Sequence, residues 1–90
     1  MLRLSEDFIC RRVCGETLLM PVGEKTKEFN GIFTLSETGA FLMDEIANGA
    51  DVDGAVSDLA AEFEISDETA AQDAHAFFEQ LLNYGILIKE

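Results

Sequence analysis

This chain of 90 residues has no tryptophan, one proline (Pro21), one histidine (His75) and two cysteines (Cys10 and Cys14). Each shortage excludes something. One histidine and two cysteines fall short of the four-ligand sets of structural zinc, so no metal is expected. Nothing in the spacing suggests a nucleophile beside a base, and no glycine-rich phosphate loop is present. No catalytic residue and no cofactor are therefore expected, and the chain reads as a non-enzyme. Its longest apolar runs are only a few residues, too short for a transmembrane helix. Met1 to Asp7 lacks the apolar stretch of a secretory signal, so a cytoplasmic location is expected.

Positive charge is the scarcest commodity. All six basic residues (Arg3, Arg11, Arg12, Lys25, Lys27 and Lys89) lie near the ends, and none falls between Glu28 and Ile88. That span holds thirteen acidic residues, and the chain carries a net charge of −12. Binding to a phosphate backbone needs clustered cations, so nucleic acid is disfavoured as a partner. An acidic, solvated surface that keeps the protein in solution is the plain consequence. Cys10 and Cys14, if both lie on one strand, share a face about 13 Å apart and cannot bridge each other. They are expected to be free thiols packed into the core as small apolar residues.

What remains is well patterned. Hydrophobic residues make up 48 % of the chain, enough for one domain spanning residues 1–90 with a packed core. Phe8 to Cys14 and Thr17 to Val22 alternate as half-buried strands, with Leu18, Met20 and Val22 on one face. Gly15-Glu16 between them fits a two-residue hairpin. Pro21 belongs on an edge or near a strand end. After a polar loop, Asn30-Gly31 signals a turn before the apolar strand Ile32 to Leu35. Ser36 then caps a helix over about 37–48 with Glu37 in its first turn, and Gly49 stops it. Gly39 costs helix propensity, so its expected use is to let another backbone or a bulky side chain approach closely. A second helix follows Asp51, over about 52–63, on the apolar positions Val52, Val56, Leu59, Ala60 and Phe63. A third, after Ser66, runs over about 67–84 to Gly85. Ile86-Leu87-Ile88 can then pack back as a short strand or an extended tail. The fold class expected is α+β, winged-helix-turn-helix-like: a three-stranded antiparallel sheet followed by three helices. Tyr84, Phe77, Ala70, Leu81, Ala74, Phe78, Ala71 and Leu82 cover roughly 160° of the third helix, wider than the ~100° stripe of an ordinary surface helix.

Three stretches together resemble the PqqD family, the stand-alone RiPP recognition elements. They are Phe33-Thr34-Leu35-Ser36-Glu37-Thr38-Gly39-Ala40, then Asp73-Ala74-His75-Ala76-Phe77-Phe78-Glu79-Gln80-Leu81, then Tyr84-Gly85-Ile86-Leu87. The resemblance runs from Phe8 to Leu87. It implies a non-catalytic adaptor that binds the leader segment of a ribosomally made precursor peptide by strand addition. The adaptor then presents that peptide to a modifying enzyme acting in trans, of which a radical-SAM maturase is the type implied. Carried over, the strand edge is Gly31, Ile32, Phe33, Thr34 and Leu35, and the groove wall comes from Ala71, Ala74, Phe78, Leu81 and Leu82. An edge with neither charge nor proline suits such a use, provided that the loop Lys25 to Phe29 does not cover it. Two alternatives stand beside this reading. One is a winged-helix nucleic-acid binder, which must put an acidic third helix into a groove of phosphates. The other is a homodimeric structural module that pairs through the same edge.

Overall fold

A computed structural model describes residues 1–29 and 31–90. Asn30, half of the turn signal noted above, lies outside the described residues. Five strands and three α-helices follow one another: β1 Leu2–Leu4, β2 Phe8–Val13, β3 Glu16–Pro21, β4 Phe33–Leu35, α1 Glu37–Ala47, α2 Val52–Phe63, α3 Asp67–Asn83 and β5 Leu87–Lys89. A 3₁₀ segment, Gly23–Lys27, lies between β3 and β4. β2, β3 and β4 form an antiparallel sheet in that order. The architecture is α+β, with this sheet leading into the three helices.

Each helix starts where its capping residue directs. The hydroxyls of Ser36 and Ser66 accept from the amides of Gly39 and Thr69 at 3.2 and 3.1 Å, and Asp51 Oδ1 accepts from Gly54 at 2.7 Å. These caps satisfy backbone donors that the first turn of a helix leaves open. α1 and α3 end in paired closing bonds, Gly49 N to Ile46 O with Ala50 N to Glu45 O, and Gly85 N to Leu82 O with Ile86 N to Leu81 O. Both glycines have positive φ, as this closure requires.

The tail, expected as a short strand or an extended segment, forms a two-stranded ribbon with a partner that sequence patterning did not anticipate. β1 pairs antiparallel with β5, Leu2 with Lys89 and Leu4 with Leu87. The tail thus becomes a strand because the N-terminus supplies its partner. Ser5 N donates to Ile86 O at 2.8 Å, and Arg3 Nε meets Glu90 Oε1 at 2.8 Å across the ribbon. Ile86 and Leu87 join Leu19, Leu42 and Leu59 as fully buried side chains of the core. Truncating any of them to alanine would cost about 2–5 kcal/mol.

Three expectations for the hairpin need correction. The turn is Cys14-Gly15, not Gly15-Glu16: Val13 pairs with Glu16, and both turn residues have positive φ (51° and 80°). Two positive-φ residues match the right-handed twist of the flanking strands. The buried face of β3 carries Thr17 and Leu19, whereas Leu18, Met20 and Val22 are only half-buried. Sequence alternation gives the period but not its phase, and the helices chose the opposite phase. Finally, both cysteines are exposed rather than core-facing. Cys14 sits in the turn. Cys10 shares the helix side of the sheet with its partner Leu19, but the hairpin projects past the helices: Phe8 is buried, Cys10 and Arg12 are not. Partial burial raises the Cys10 thiol pKa, helped by Asp44 and opposed by Arg12.

Candidate functional site

β4 pairs with β3 on one side only; among the described residues nothing pairs with its other side. The strand is three residues long and holds two faces. Phe33 and Leu35, opposite the inward Leu19 and Thr17, turn toward the helices, while Thr34 points away opposite Leu18. Ser36 begins α1 one residue later, so the strand is held at its C-terminal end by a capped helix.

Between β4 and α3 lies a groove of about 370 Å³. Its strand side is Phe33, Thr34, Leu35 and Ser36, its floor is Leu19 and Leu81, and its helix side is Phe77, Gln80 and Tyr84. The last three fall on one helical face with Leu81, at spacings of three and four residues. Gly39 explains how Phe77 gets there. A Cβ on Gly39 would lie 2.9 Å from Phe77 Cε1, inside contact distance, so the ring occupies space that glycine leaves open.

An aromatic stack closes one end of this groove. Phe29 packs edge-on against Phe8 (centroids 5.3 Å) and Phe33 (5.9 Å), and Tyr84 lies 6.0 Å from Phe33. Phe29, before β4, thus abuts Phe33, while Thr34 is exposed and Leu35 half-buried. Edge-to-face pairs of this kind add about 0.5–1.5 kcal/mol each beyond their buried area.

The sequence-derived site residues divide. Phe33, Thr34, Leu35 and Leu81 come together in the groove. Gly31 and Ile32 lie just before the strand, both exposed, and Gly31 takes φ 106°. Ala74 and Phe78 are buried in the core, and Ala71 is half-buried. Leu82 opens on a different hollow, shared with Leu2, Val52 and His75. A step of one residue along a helix turns the side chain by about 100°, which separates Phe77 and Leu81 from Phe78 and Leu82. Phe77, Gln80 and Tyr84 were missing from the expected wall. Gly39 was the available signal that something approaches α1 closely, but only the structure identifies it as the Phe77 ring.

Three carboxyls, Asp44, Glu45 and Asp58, cluster between α1 and α2, and one of them is perturbed. Glu45 Oε1 is buried with no hydrogen-bond donor to accept from. Its pKa rises to about 6, first through a side-chain hydrogen bond with Asp58, then through desolvation and the charges of Asp58 and Asp44. A proton on Glu45 supplies the missing bond, since two carboxylates cannot satisfy each other. The pair joins α1 to α2, away from the groove.

Comparison with known proteins follows the same lines. No functionally curated protein matches the sequence significantly. Two solved structures superpose closely. One is a lasso peptide synthetase B1 complexed with the leader peptide, with TM-score 0.83, 18 % identity and 98 % of each chain covered. The other is TbiB1 in complex with the TbiA(beta) leader peptide, with TM-score 0.82, 18 % identity, and 98 % of this chain and 96 % of that one covered. At such identity the likeness attests the fold. The family model for Coenzyme PQQ synthesis protein D (PqqD) matches residues 16–87, from the start of β3 through the first residue of β5. With the strand-to-helix motif, the glycine that seats Phe77 and the closing Tyr84-Gly85-Ile86-Leu87 all inside that match, the chain belongs to the PqqD family.

Proposed function

We propose that this chain binds the leader segment of a ribosomally made precursor peptide along the free edge of β4 and presents it to a separate modifying enzyme. The observation that carries the reading is the open groove between an unpaired strand edge and an apolar helix face. Backbone groups of β4 supply sequence-tolerant hydrogen bonds, and Phe33, Phe77, Leu81 and Tyr84 supply apolar contacts that select side chains. Two proteins of the same fold, TbiB1 and a lasso peptide synthetase B1, were solved with leader peptides bound. Family membership supports the same role here. The binding domain spans residues 1–90 and is non-catalytic; the modifying enzyme acts in trans, a radical-SAM maturase being the type that the family implies. The fold gives no membrane-spanning helix among the described residues.

The test uses a display library tiling the short reading frames of the source genome. Panning against the full chain should recover one leader segment, whose affinity is then measured by fluorescence anisotropy. Gln80→Trp, which fills the groove from an exposed helix position, should weaken binding at least about tenfold, a loss of ~1.4 kcal/mol. Leu82→Trp, on the other face of α3, should leave it unchanged. Circular dichroism checks that both variants fold. Equal binding by the parent and a folded Gln80→Trp protein would remove the groove from the mechanism, and a dimer that dissociates on adding peptide would show that the edge also serves self-pairing.

A further inference from the structure

The outer face of the three-stranded sheet is apolar, where the solvated face of an antiparallel sheet is ordinarily polar. Phe8, Cys10 and Arg12 of β2 stand on the helix side with Thr17 and Leu19. Ile9, Arg11 and Val13 therefore turn outward, paired with Met20, Leu18 and Glu16 of β3. None of Ile9, Val13, Leu18 and Met20 packs against the core cluster that the helices share with Phe8 and Leu19. Ile9, Leu18 and Met20 are half-buried, while Val13 is 47 % exposed. Two charges flank this apolar centre at diagonal positions, Arg11 on β2 and Glu16 on β3. Both are exposed, and among the described residues neither has an ion-pair partner.

Charge decides what lies against this face. The helical half of the chain, Glu37 to Glu79, holds twelve acids and no cation, whereas Arg11, Arg12, Lys25 and Lys27 all belong to the hairpin and the 3₁₀ segment. Two copies of a chain with net charge −12 repel each other least when they approach by the cation-bearing sheet and hold their helices apart. We propose that two copies of this chain pair back to back through these outer faces. A two-fold axis lying between the faces sets Arg11 of each copy against Glu16 of the other, and the apolar side chains close between the two ion pairs. A six-residue strand and a three-strand width give a face of about 20 Å by 14 Å. That is below the ~800 Å² per partner of a standard stable interface, so the pair is weak and reversible, populated at concentrations on the order of 0.1–1 mM. The free edge of β4 lies in the plane of the sheet, so the contact leaves both grooves open and stands apart from the leader-binding reading.

Sedimentation equilibrium of the full chain, from micromolar concentration up to about 1 mM, reads the pairing directly. The mean mass should rise with concentration from 9.9 kDa toward twice that value. Leu18→Lys sets two like charges at the centre of the contact and should weaken the pairing at least about tenfold. Arg11→Glu and Glu16→Arg each turn both ion pairs into like-charge contacts, and each should weaken it roughly three- to tenfold, the scale of exposed pairs. An equimolar mixture of these two variants should pair about as well as the parent, because every contact between an Arg11→Glu copy and a Glu16→Arg copy joins opposite charges. Glu79→Arg on α3 changes the net charge as much as Glu16→Arg does and should not weaken the pairing. Circular dichroism checks each variant's fold, and the mixture carries the test should Leu18→Lys fail to fold. A chain that stays monomeric at about 1 mM, a dimer that a folded Leu18→Lys leaves intact, or a mixture that pairs no better than either variant alone would overturn the inference. In each of those cases leader binding would still stand, since its own test reads Gln80→Trp.

Discussion

At the scale of single residues, the fold turns on a few positions where one atom more or less decides the geometry. Gly39 is one: the 2.9 Å gap to Phe77 is taken by the ring, so alanine there pushes Phe77 into the groove or away from α1. Glu45 is another. The folded chain holds its proton more tightly than an unfolded chain does, moving its pKa from 4.5 up to about 6. Between those values the folded state binds more protons than the unfolded one, so this group makes stability rise as pH falls through the window. Above about pH 6 the charged Glu45 faces Asp58 and its contribution is unfavourable. Glu45→Gln, able to donate a hydrogen bond to Asp58 at any pH, should therefore raise stability at pH 7 and flatten the pH dependence between about 4.5 and 6. Urea unfolding at several pH values checks this; a parent protein whose stability falls on acidification through that window, with no effect of the glutamine, would contradict it.

At the scale of elements, the helices share an asymmetry. Each carries an acid in its first turn and none carries a base in its last. Their N-terminal ends are matched by charge and cap, and their C-terminal ends rely on backbone closure alone. α2 closes in the same way as the others, with Ile65 N donating to Ala60 O, but it places Glu64 at φ 53° where its neighbours have glycine. A side chain in the left-handed region costs about 1–2 kcal/mol, and an acid at that end is unfavourable besides. Glu64→Gly should stabilise the protein by ~1 kcal/mol after the entropy that glycine loses on folding, seen as a rise of about 4–8 °C in Tm. A fall in Tm would mean that Glu64 has a compensating contact.

The elements also show what could be read from the chain unaided. Capping residues and glycine stops are local chemistry, and Ser36, Asp51, Ser66, Gly49 and Gly85 could be read directly. The β1–β5 ribbon was hidden because it joins residues from opposite ends of the chain, and a three-residue strand carries almost no periodic signal. The phase of β3 was hidden for a related reason: Leu18-Leu19-Met20 is apolar at every position, so only the packing of the helices picks Leu19 for the core. In the candidate site, the strand Phe33 to Leu35 was legible from its composition and its cap. The matching wall of α3 was not, since an apolar arc of ~160° contains both the core face and the groove face. Phe78 and Leu82 lie on the same arc as Phe77 and Leu81 and differ only in rotation about the axis.

For the molecule as a whole, charge is segregated along the chain. Arg11, Arg12, Lys25 and Lys27 lie on the hairpin and the 3₁₀ segment, Arg3 and Lys89 on the terminal ribbon, and α1, α2 and α3 carry no cation at all. A winged-helix protein reading DNA through α3 would place Asp67, Glu68, Asp73 and Glu79 against phosphates. Anisotropy with labelled duplex DNA at about 0.15 M salt, where the Debye length is roughly 8 Å, should show no binding in the micromolar range. Salt-sensitive micromolar affinity would revive that alternative.

The account as a whole requires that a peptide complete the sheet at β4 and nowhere else. The sheet has a second edge, β2, which lies outside the groove. Hydrogen exchange read by mass spectrometry, with and without a saturating selected peptide, separates the two edges. Segments covering residues 33–35 and 77–84 should exchange more slowly in the complex, because the peptide pairs with the strand and buries the helix face above it. Residues 8–13 should exchange as before. Protection at β2, or at the β1–β5 ribbon, without any at β4 would contradict the account.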